Sequence, residues 1–259
     1  MWPVCLTLLS HLFVHPFIVI FVDTRESLYI GCESPQLMNI DTKYWYLRDH
    51  KLFSVLSSSE LKSICMITNF KSAKKGEIIL FSHDENTRVY FLKKGTLKIV
   101  EIDEKGNEIV KDVLQKGDIF GEFTLTESQS DEYAVAVSES VICCSFKMDD
   151  FEKMLEKNPQ LSLSYTKWMG FRFKRLQNRY ANLMFKDVRT RFLSFLDEWA
   201  SKEGTAAADE IILKNYLTHQ DIASLICSTR QTVTQLFNEF KEKGILDYSR
   251  TEIILKKVA

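Results

Sequence analysis

An α+β fold is predicted for this chain: an N-terminal antiparallel β-roll (a jelly roll), then one long helix, then a C-terminal winged helix-turn-helix. Three observations predict it. Between Ile78 and Phe146, short alternating runs follow one another with turn residues between them. Between Pro159 and Phe185, apolar residues recur at helical spacing without interruption. Between Thr218 and Phe240, two short amphipathic stripes are separated by the polar break Cys227-Ser228-Thr229.

The helical start comes first. Asp41 to Met66 reads as one or two short helices with Leu52, Phe53, Val55, Leu56, Leu61 and Ile64 on the apolar side, and Ser57-Ser58-Ser59-Glu60 supplies a capping signal. The period then changes from helical to alternating. Strands are predicted at Ile78 to Phe81, Val89 to Leu92, Leu97 to Ile102, Glu108 to Leu114, Tyr133 to Val137 and Val141 to Phe146. Gly76, Lys94-Gly95, Lys105-Gly106-Asn107 and Gly117-Asp118 punctuate them. Many short strands without intervening helices argue for a small antiparallel barrel or roll.

From Asp149 the period is helical again, and Asn158-Pro159 opens a helix that runs to Phe185. Met169, Phe173, Leu176, Tyr180 and Leu183 recur at spacings of four, three, four and three, a heptad-like seam. The expected partner of that seam is the same helix of a second copy, in parallel about a two-fold axis; packing against the chain's own roll is the alternative. Lys167, Arg172, Lys174, Arg175 and Arg179 are expected on a solvated flank. The next helix, Asp187 to Ser201, carries Val188, Phe192, Phe195, Leu196 and Trp199 on one face, and Lys202 to Asp209 reads as a loop.

In the helix-turn-helix, Ile222, Leu225 and Ile226 form the first stripe, and Val233, Leu236, Phe237 and Phe240 the second. Ser228 with Gln231 three residues on is a capping-box pattern, which predicts the start of the second helix. The face left open carries Arg230, Gln231, Thr234, Gln235 and Asn238. Arginine pairs bidentately with guanine, glutamine and asparagine with adenine, and threonine meets a phosphate or a thymine methyl, so this face is suited to double-stranded DNA. Thr218, His219, Ser228 and Thr229, at the heads of the two helices, complete the candidate contacts. Gly244 permits a helix stop, after which Ile245 to Tyr248, a Ser249-Arg250 turn and Thr251 to Leu255 form a hairpin wing.

The 259 residues, 45% apolar and 27% charged with nine Gly and four Pro, have an ordinary globular composition that is long enough for two domains. A net charge of −1 gives no global basic signal, yet Lys167 to Arg191 holds eight Lys and Arg against Asp187 alone. Thr218 to Ala259 holds six basic residues against five acids, so modest non-specific DNA affinity and a shallow salt slope are expected. Cys5, Cys32, Cys65, Cys143, Cys144 and Cys227 show no metal or iron–sulfur spacing, which fits a reducing cytoplasm. Cys143 and Cys144 are expected on opposite faces of one strand. His11 and His15 stand at i, i+4 without a third ligand, and no metal is assigned. No Ser/His/Asp, paired-carboxylate or P-loop constellation is present, so no enzymatic activity is predicted.

Met1 to Val22 contains no charged residue and is long and apolar enough for a membrane span, but it lacks the basic start of a signal peptide. Met38 is expected to be the true start, with the preceding residues an over-long reading frame. A membrane anchor through residues 1–22, tethering the protein to the inner membrane, is the alternative to a cytoplasmic protein.

Roll, long helix and winged helix-turn-helix, in that order, resemble the Crp/Fnr family of bacterial transcription regulators from about Tyr44 onward. Lys75-Gly76-Glu77-Ile78-Ile79 is similar to the family's entry into the roll, and Val89 to Gly95 to its next hairpin. Gly117-Asp118-Ile119-Phe120-Gly121-Glu122 is similar to its Gly-Asp-x-x-Gly-Glu signature. Asn158-Pro159, Asp187-Val188 and Ser228-Thr229-Arg230-Gln231-Thr232-Val233 also match. The resemblance implies a homodimer on a pseudo-palindromic operator, with RNA polymerase and a small-molecule effector as further partners, and a cyclic-nucleotide-binding regulatory module as the rival function. It divides the chain into a sensor roll (38–157), a dimerisation helix (158–186) and a DNA-binding domain (187–259), after an apolar extension (1–37).

The departures bear on the effector. Members that bind cyclic AMP hold its ribose with a glutamate after glycine, matched here by Gly121 and Glu122, and its phosphate with an arginine about ten residues on. Here that stretch reads Asp131-Glu132-Tyr133-Ala134, and carboxylates repel a phosphate. The polar pair that meets adenine on the long helix is, by similarity, Leu176-Gln177. Cyclic AMP is therefore not expected; the readings left open are a more apolar effector near Phe123, Leu176 and Tyr180, or no effector at all. The N-terminal cysteine cluster of Fnr-like oxygen sensors is absent; gas-sensing members bind haem, for which His83, on a loop, is a candidate ligand by that resemblance, though a lone loop histidine is more often none. No cofactor is required by the sequence. Cys227 stands where the family's turn has glycine, and a positive φ there would strain it. Its apolar neighbours Leu225 and Ile226 suggest a partly buried thiol. Gln231 replaces a common glutamate and favours adenine over cytosine.

Overall fold

The computed structural model describes residues 39–80, 88–121, 132–207 and 209–256. The expectations for residues 1–22, Met38, His83, Glu122, Phe123 and Asp131 lie outside the described residues.

Helix α1 (Ile40–Arg48), a 3-10 turn (Lys51–Val55) and α2 (Ser58–Ile67) precede the roll. The Ser57 box forms as read. Ser57 Oγ accepts from Glu60 N at 3.3 Å, and the Glu60 carboxylate accepts from Ser57 N at 2.8 Å.

Eight strands then build two facing sheets: β1 (Asn69–Lys74), β2 (Ile78–Leu80), β3 (Arg88–Lys94), β4 (Leu97–Ile102), β5 (Glu108–Leu114), β6 (Ile119–Gly121), β7 (Glu132–Ala136) and β8 (Ser140–Lys147). One sheet has the order β1-β8-β3-β6 and the other β2-β7-β4-β5, all antiparallel. β4 and β5 have the predicted bounds. β1 and β6 carry no alternating apolar pattern and were not predicted.

Between the sheets Tyr90, Leu92, Leu97, Ile99, Leu114, Phe120, Val141 and Cys143 form one core. On the other side of β3 and β8, Phe53, Phe91, Cys144, Phe146, Phe151 and Leu161 form a second, closed by the helices. The adjacent Cys143 and Cys144 thus fall into different cores, as the two-residue period of a strand requires.

Helix α3 (Met148–Lys157) leads into α4 (Pro159–Phe185), which has the predicted bounds. The Asn158 side chain accepts from Leu161 N at 3.0 Å, and Pro159 fills the first helical position, where its missing N–H costs nothing.

Helix α5 (Val188–Glu203) then leads to β9 (Thr205–Ala207) and β10 (Glu210–Lys214), so the segment expected as a loop contains a short edge strand. Helices α6 (His219–Leu225) and α7 (Arg230–Glu242) follow, then β11 (Leu246–Tyr248) and β12 (Glu252–Lys256). The wing hairpin is part of a four-stranded sheet, β11-β12-β10-β9. Phe192, Leu196, Trp199, Ile222, Val233, Phe237, Phe240 and Ile253 share the third core, with the Phe192 and Phe237 rings edge-to-face at 4.9 Å. Among the described residues no helix is long and apolar enough to cross a membrane.

Candidate nucleic-acid interface and its contact with the roll

The first helix of the pair is capped at both atoms of its box. Thr218 Oγ1 accepts from Asp221 N at 3.1 Å, and Asp221 Oδ2 accepts from Thr218 N at 2.8 Å. The chain then reverses through Cys227, whose φ is +50°, a left-handed conformation that glycine tolerates better. Ser228 N donates to Ala223 O at 2.8 Å and so belongs to the turn. The cap of α7 is therefore Thr229, which accepts from Thr232 N at 3.2 Å, and not Ser228 as its spacing from Gln231 suggested. The left-handed residue shifts the helix start by one position. The Cys227 side chain is exposed, against the expectation of a partly buried thiol.

Of the candidate DNA contacts, Thr218, Thr229, Arg230, Gln231 and Gln235 are exposed, and His219, Ser228 and Thr234 are half-buried. Thr234 is committed inward: its hydroxyl donates to Arg230 O at 2.9 Å and lies 2.9 Å from Nδ1 of His219. The His219 ring stacks on Phe237 at 4.8 Å between centroids. Burial, then the charge of Arg230, holds its pKa below the ordinary histidine value. Asn238 is tied to the wing, since its Oδ1 accepts from the Tyr248 hydroxyl at 2.8 Å. The open recognition face therefore narrows to Arg230, Gln231 and Gln235.

Among the described residues, the candidate effector positions Gly121, Leu176, Gln177 and Tyr180 do not all line one cleft. At Gly121 φ is +119°, and a Cβ there would run into the carbonyl oxygen of Arg88, so the β3–β6 approach itself requires glycine. Leu176 and Tyr180 line a cleft of about 410 Å³ between β5, α4, α5 and α6, whereas Gln177 is not on its wall. Lys111 lies between Glu132 and Glu101, 3.1 Å from the latter. Among the described residues no cluster of His, Cys, Asp or Glu could hold a metal ion.

The expected seam is exposed along its length: Met169 39%, Phe173 61%, Leu176 62%, Tyr180 64% and Leu183 40%. Of its basic flank, Lys167 and Lys174 are solvated as expected, but the three arginines are not. Arg179 reaches Asp112 on β5 at 2.8 Å, and Arg172 reaches the same carboxylate at 3.7 Å. Arg175 lies between Asp118 at 3.8 Å and Glu198 at 3.6 Å. The helix turns Arg172, Arg175 and Arg179 to the roll and α5, and its apolar row outward.

Residues 70–158 match the cyclic nucleotide-binding domain family, and residues 190–259 match the Crp-like helix-turn-helix domain family. The chain is 32% identical over 186 residues to the global nitrogen regulator of Nostoc sp., covering 71% of this chain and 83% of that one. It is 25% identical over 207 residues to the anaerobic regulatory protein of Bacillus subtilis, covering 79% and 87%. Among solved structures, a CooA variant from Carboxydothermus hydrogenoformans superposes with a TM-score of 0.65 at 28% identity, covering 82% of this chain and 94% of that one. The chain belongs to the Crp/Fnr family of transcription regulators.

As a Crp/Fnr regulator it is a DNA-binding transcription factor and not an enzyme. One contact in this family member had no signal in the sequence. Lys98 on β4 pairs with Asp221 of the α6 cap at 2.9 Å, their side chains 20% and 8% exposed. Val113 of β5 packs beside that pair against the core of the helix-turn-helix. Lys98 stands at an ordinary outward strand position, and nothing local distinguishes it from a solvated lysine.

Proposed function

We propose that this Crp/Fnr regulator works as a homodimer on a pseudo-palindromic operator, with one α7 helix per half-site and the α4 helices paired along Met169, Phe173, Leu176, Tyr180 and Leu183. The observation that carries the reading is the opposition of faces on α4: the arginines engage the roll and α5, while the apolar row stands in water. Burying such a row returns about 25 cal/mol per Å² of apolar surface, and a parallel twin helix offers a matching row. Arg230 is suited to guanine and Gln231 and Gln235 to adenine, with Thr218, His219, Ser228 and Thr229 facing the phosphates.

The sensor responds to a small molecule other than cyclic AMP. Leu176-Gln177 offers adenine an apolar side chain and an amide, and the stretch matched to the phosphate site carries Glu132, paired with Lys111, in place of an arginine. The effector shifts the population between two spacings of the recognition helices. RNA polymerase is the further partner, and the cytoplasm the proposed compartment.

Selection of duplexes from a random pool with the full-length protein tests this reading. A two-fold symmetric consensus is expected, and Arg230→Ala should cost roughly 1–3 kcal/mol and flatten preference at one base pair per half-site. An unchanged affinity and preference in that variant would remove α7 as the reading element.

A further inference from the structure

Arg191, on the first turn and a half of α5, ties three backbone carbonyls together. Its Nη1 donates to Lys186 O at 2.8 Å, its Nε to Ile226 O at 2.9 Å and its Nη2 to Cys227 O at 3.2 Å. The three acceptors come from two places. Lys186 is the C-cap of α4 and, with Asp187, the whole link between α4 and α5. Ile226 and Cys227 are the turn of the helix-turn-helix, two residues before Thr229 caps α7. A second bond, from Lys186 Nζ to Ser194 Oγ at 3.0 Å, holds the same hinge against α5.

We propose that Arg191 is the positioning residue that carries a movement of the α4 end to the recognition helix, by clamping the α4–α5 hinge and the helix-turn-helix turn in one guanidinium. The chemistry favours arginine for this task. A planar fork donates in several fixed directions at once, whereas a lysine ammonium on a flexible stem cannot span the same three oxygens. The turn needs such a donor, because Cys227 holds the left-handed backbone without the freedom of glycine. From there the covalent path to Arg230 is three residues: Cys227 sets Ser228, Ser228 sets the Thr229 cap, and Thr229 begins α7.

The inference rests on the DNA-reading role proposed for α7, and its test separates the two. Full-length wild-type protein is first used to select an operator; failure to select any duplex would overturn the reading of α7 and leave the clamp without a function to serve. Operator and random-duplex affinities are then measured for wild type, Arg191→Lys and Arg191→Met, with the thermal midpoint and sedimentation of each. Loss of the clamp should lower operator affinity about tenfold with random-duplex affinity unchanged, and Arg191→Lys should not rescue it. A merely structural role would lower the midpoint and both affinities together, and lysine would restore them in proportion to stability. Should Arg191→Met fail to fold, Arg191→Lys alone decides. An operator-to-random ratio equal to wild type in the folded variant would overturn the proposal.

Discussion

Nζ of Lys98 lies 2.9 Å from Oδ1 of Asp221, and the two residues are 123 positions apart in the chain. The same carboxylate closes the capping box of α6, so one buried acid both starts the helix and fastens it to strand β4 of the roll. The orientation of the DNA-reading unit on the roll is thereby set through a charge in a largely dry contact.

Lys98→Met should consequently cost about 2 kcal/mol, because it leaves Asp221 buried without its counter-charge. Urea unfolding followed by fluorescence of Trp199, which belongs to the core of the reading unit, measures it. A midpoint equal to wild type would mean that water replaces the ammonium at no cost.

His50 predicts how the roll responds to acid. Burial, then repulsion from Lys93, pushes its pKa down to about 3, while its ring is held by Gly117 O at 3.1 Å and Leu52 N at 3.2 Å. Unfolding restores an ordinary histidine that binds a proton near pH 6.5, so the unfolded chain takes up more protons below that value. Stability from this group is complete above pH 6.5 and is lost as pH falls toward 3. Between pH 7 and pH 5 the wild type should lose about 2 kcal/mol more than His50→Gln, as read from urea midpoints at the two values. Parallel losses in both proteins would show that His50 already titrates in the fold.

Two left-handed positions should respond in opposite senses. Cys227→Gly removes a side chain from a φ of +50° and is expected to stabilise the chain by up to about 1 kcal/mol. Gly121→Ala places a methyl against the Arg88 carbonyl at a φ of +119° and should destabilise the roll by about 2 kcal/mol or more, with no ligand involved. Thermal midpoints of the two variants suffice, and a neutral Gly121→Ala would disprove the close approach of β3 and β6.

Tyr180→Glu tests the outward row of α4. A carboxylate on a seam paired with its symmetry mate sets like charges close together, so the variant should sediment as a monomer with its helix content retained. Wild type that is itself monomeric at working concentration would remove the proposed dimer.

Much of the architecture is legible in the sequence. β4, β5 and α4 have the expected bounds because Leu97 to Ile102 and Glu108 to Leu114 alternate between clear turn residues, and because Asn158-Pro159 marks a helix start chemically. β1 was not legible: Asn-Phe-Lys-Ser-Ala-Lys buries only Phe70 and Ala73, and it is a strand because β8 pairs with it. The α7 cap was misplaced by one residue, since Ser228 has the right spacing and only the backbone of Cys227 shows that the turn is still under way. At the candidate site, the exposed Arg230, Gln231 and Gln235 follow from helical period, whereas the inward bonds of Thr234 and Asn238 depend on His219 and Tyr248 from other elements.

What the amino-acid order alone determined is everything that repeats within a turn or two of chain: strand and helix periods, the Ser57 and Asn158 caps, the paired stripes of the reading unit, and through them the family. Tertiary structure decided which flank of α4 faces the roll, where the α6 cap finds its lysine, and what Arg191 holds. The reason is range. Backbone sterics and solvent exposure act on neighbours and print a period on the sequence, but an ion pair between residues more than a hundred positions apart leaves no spacing to read until the chain has folded and brought them together.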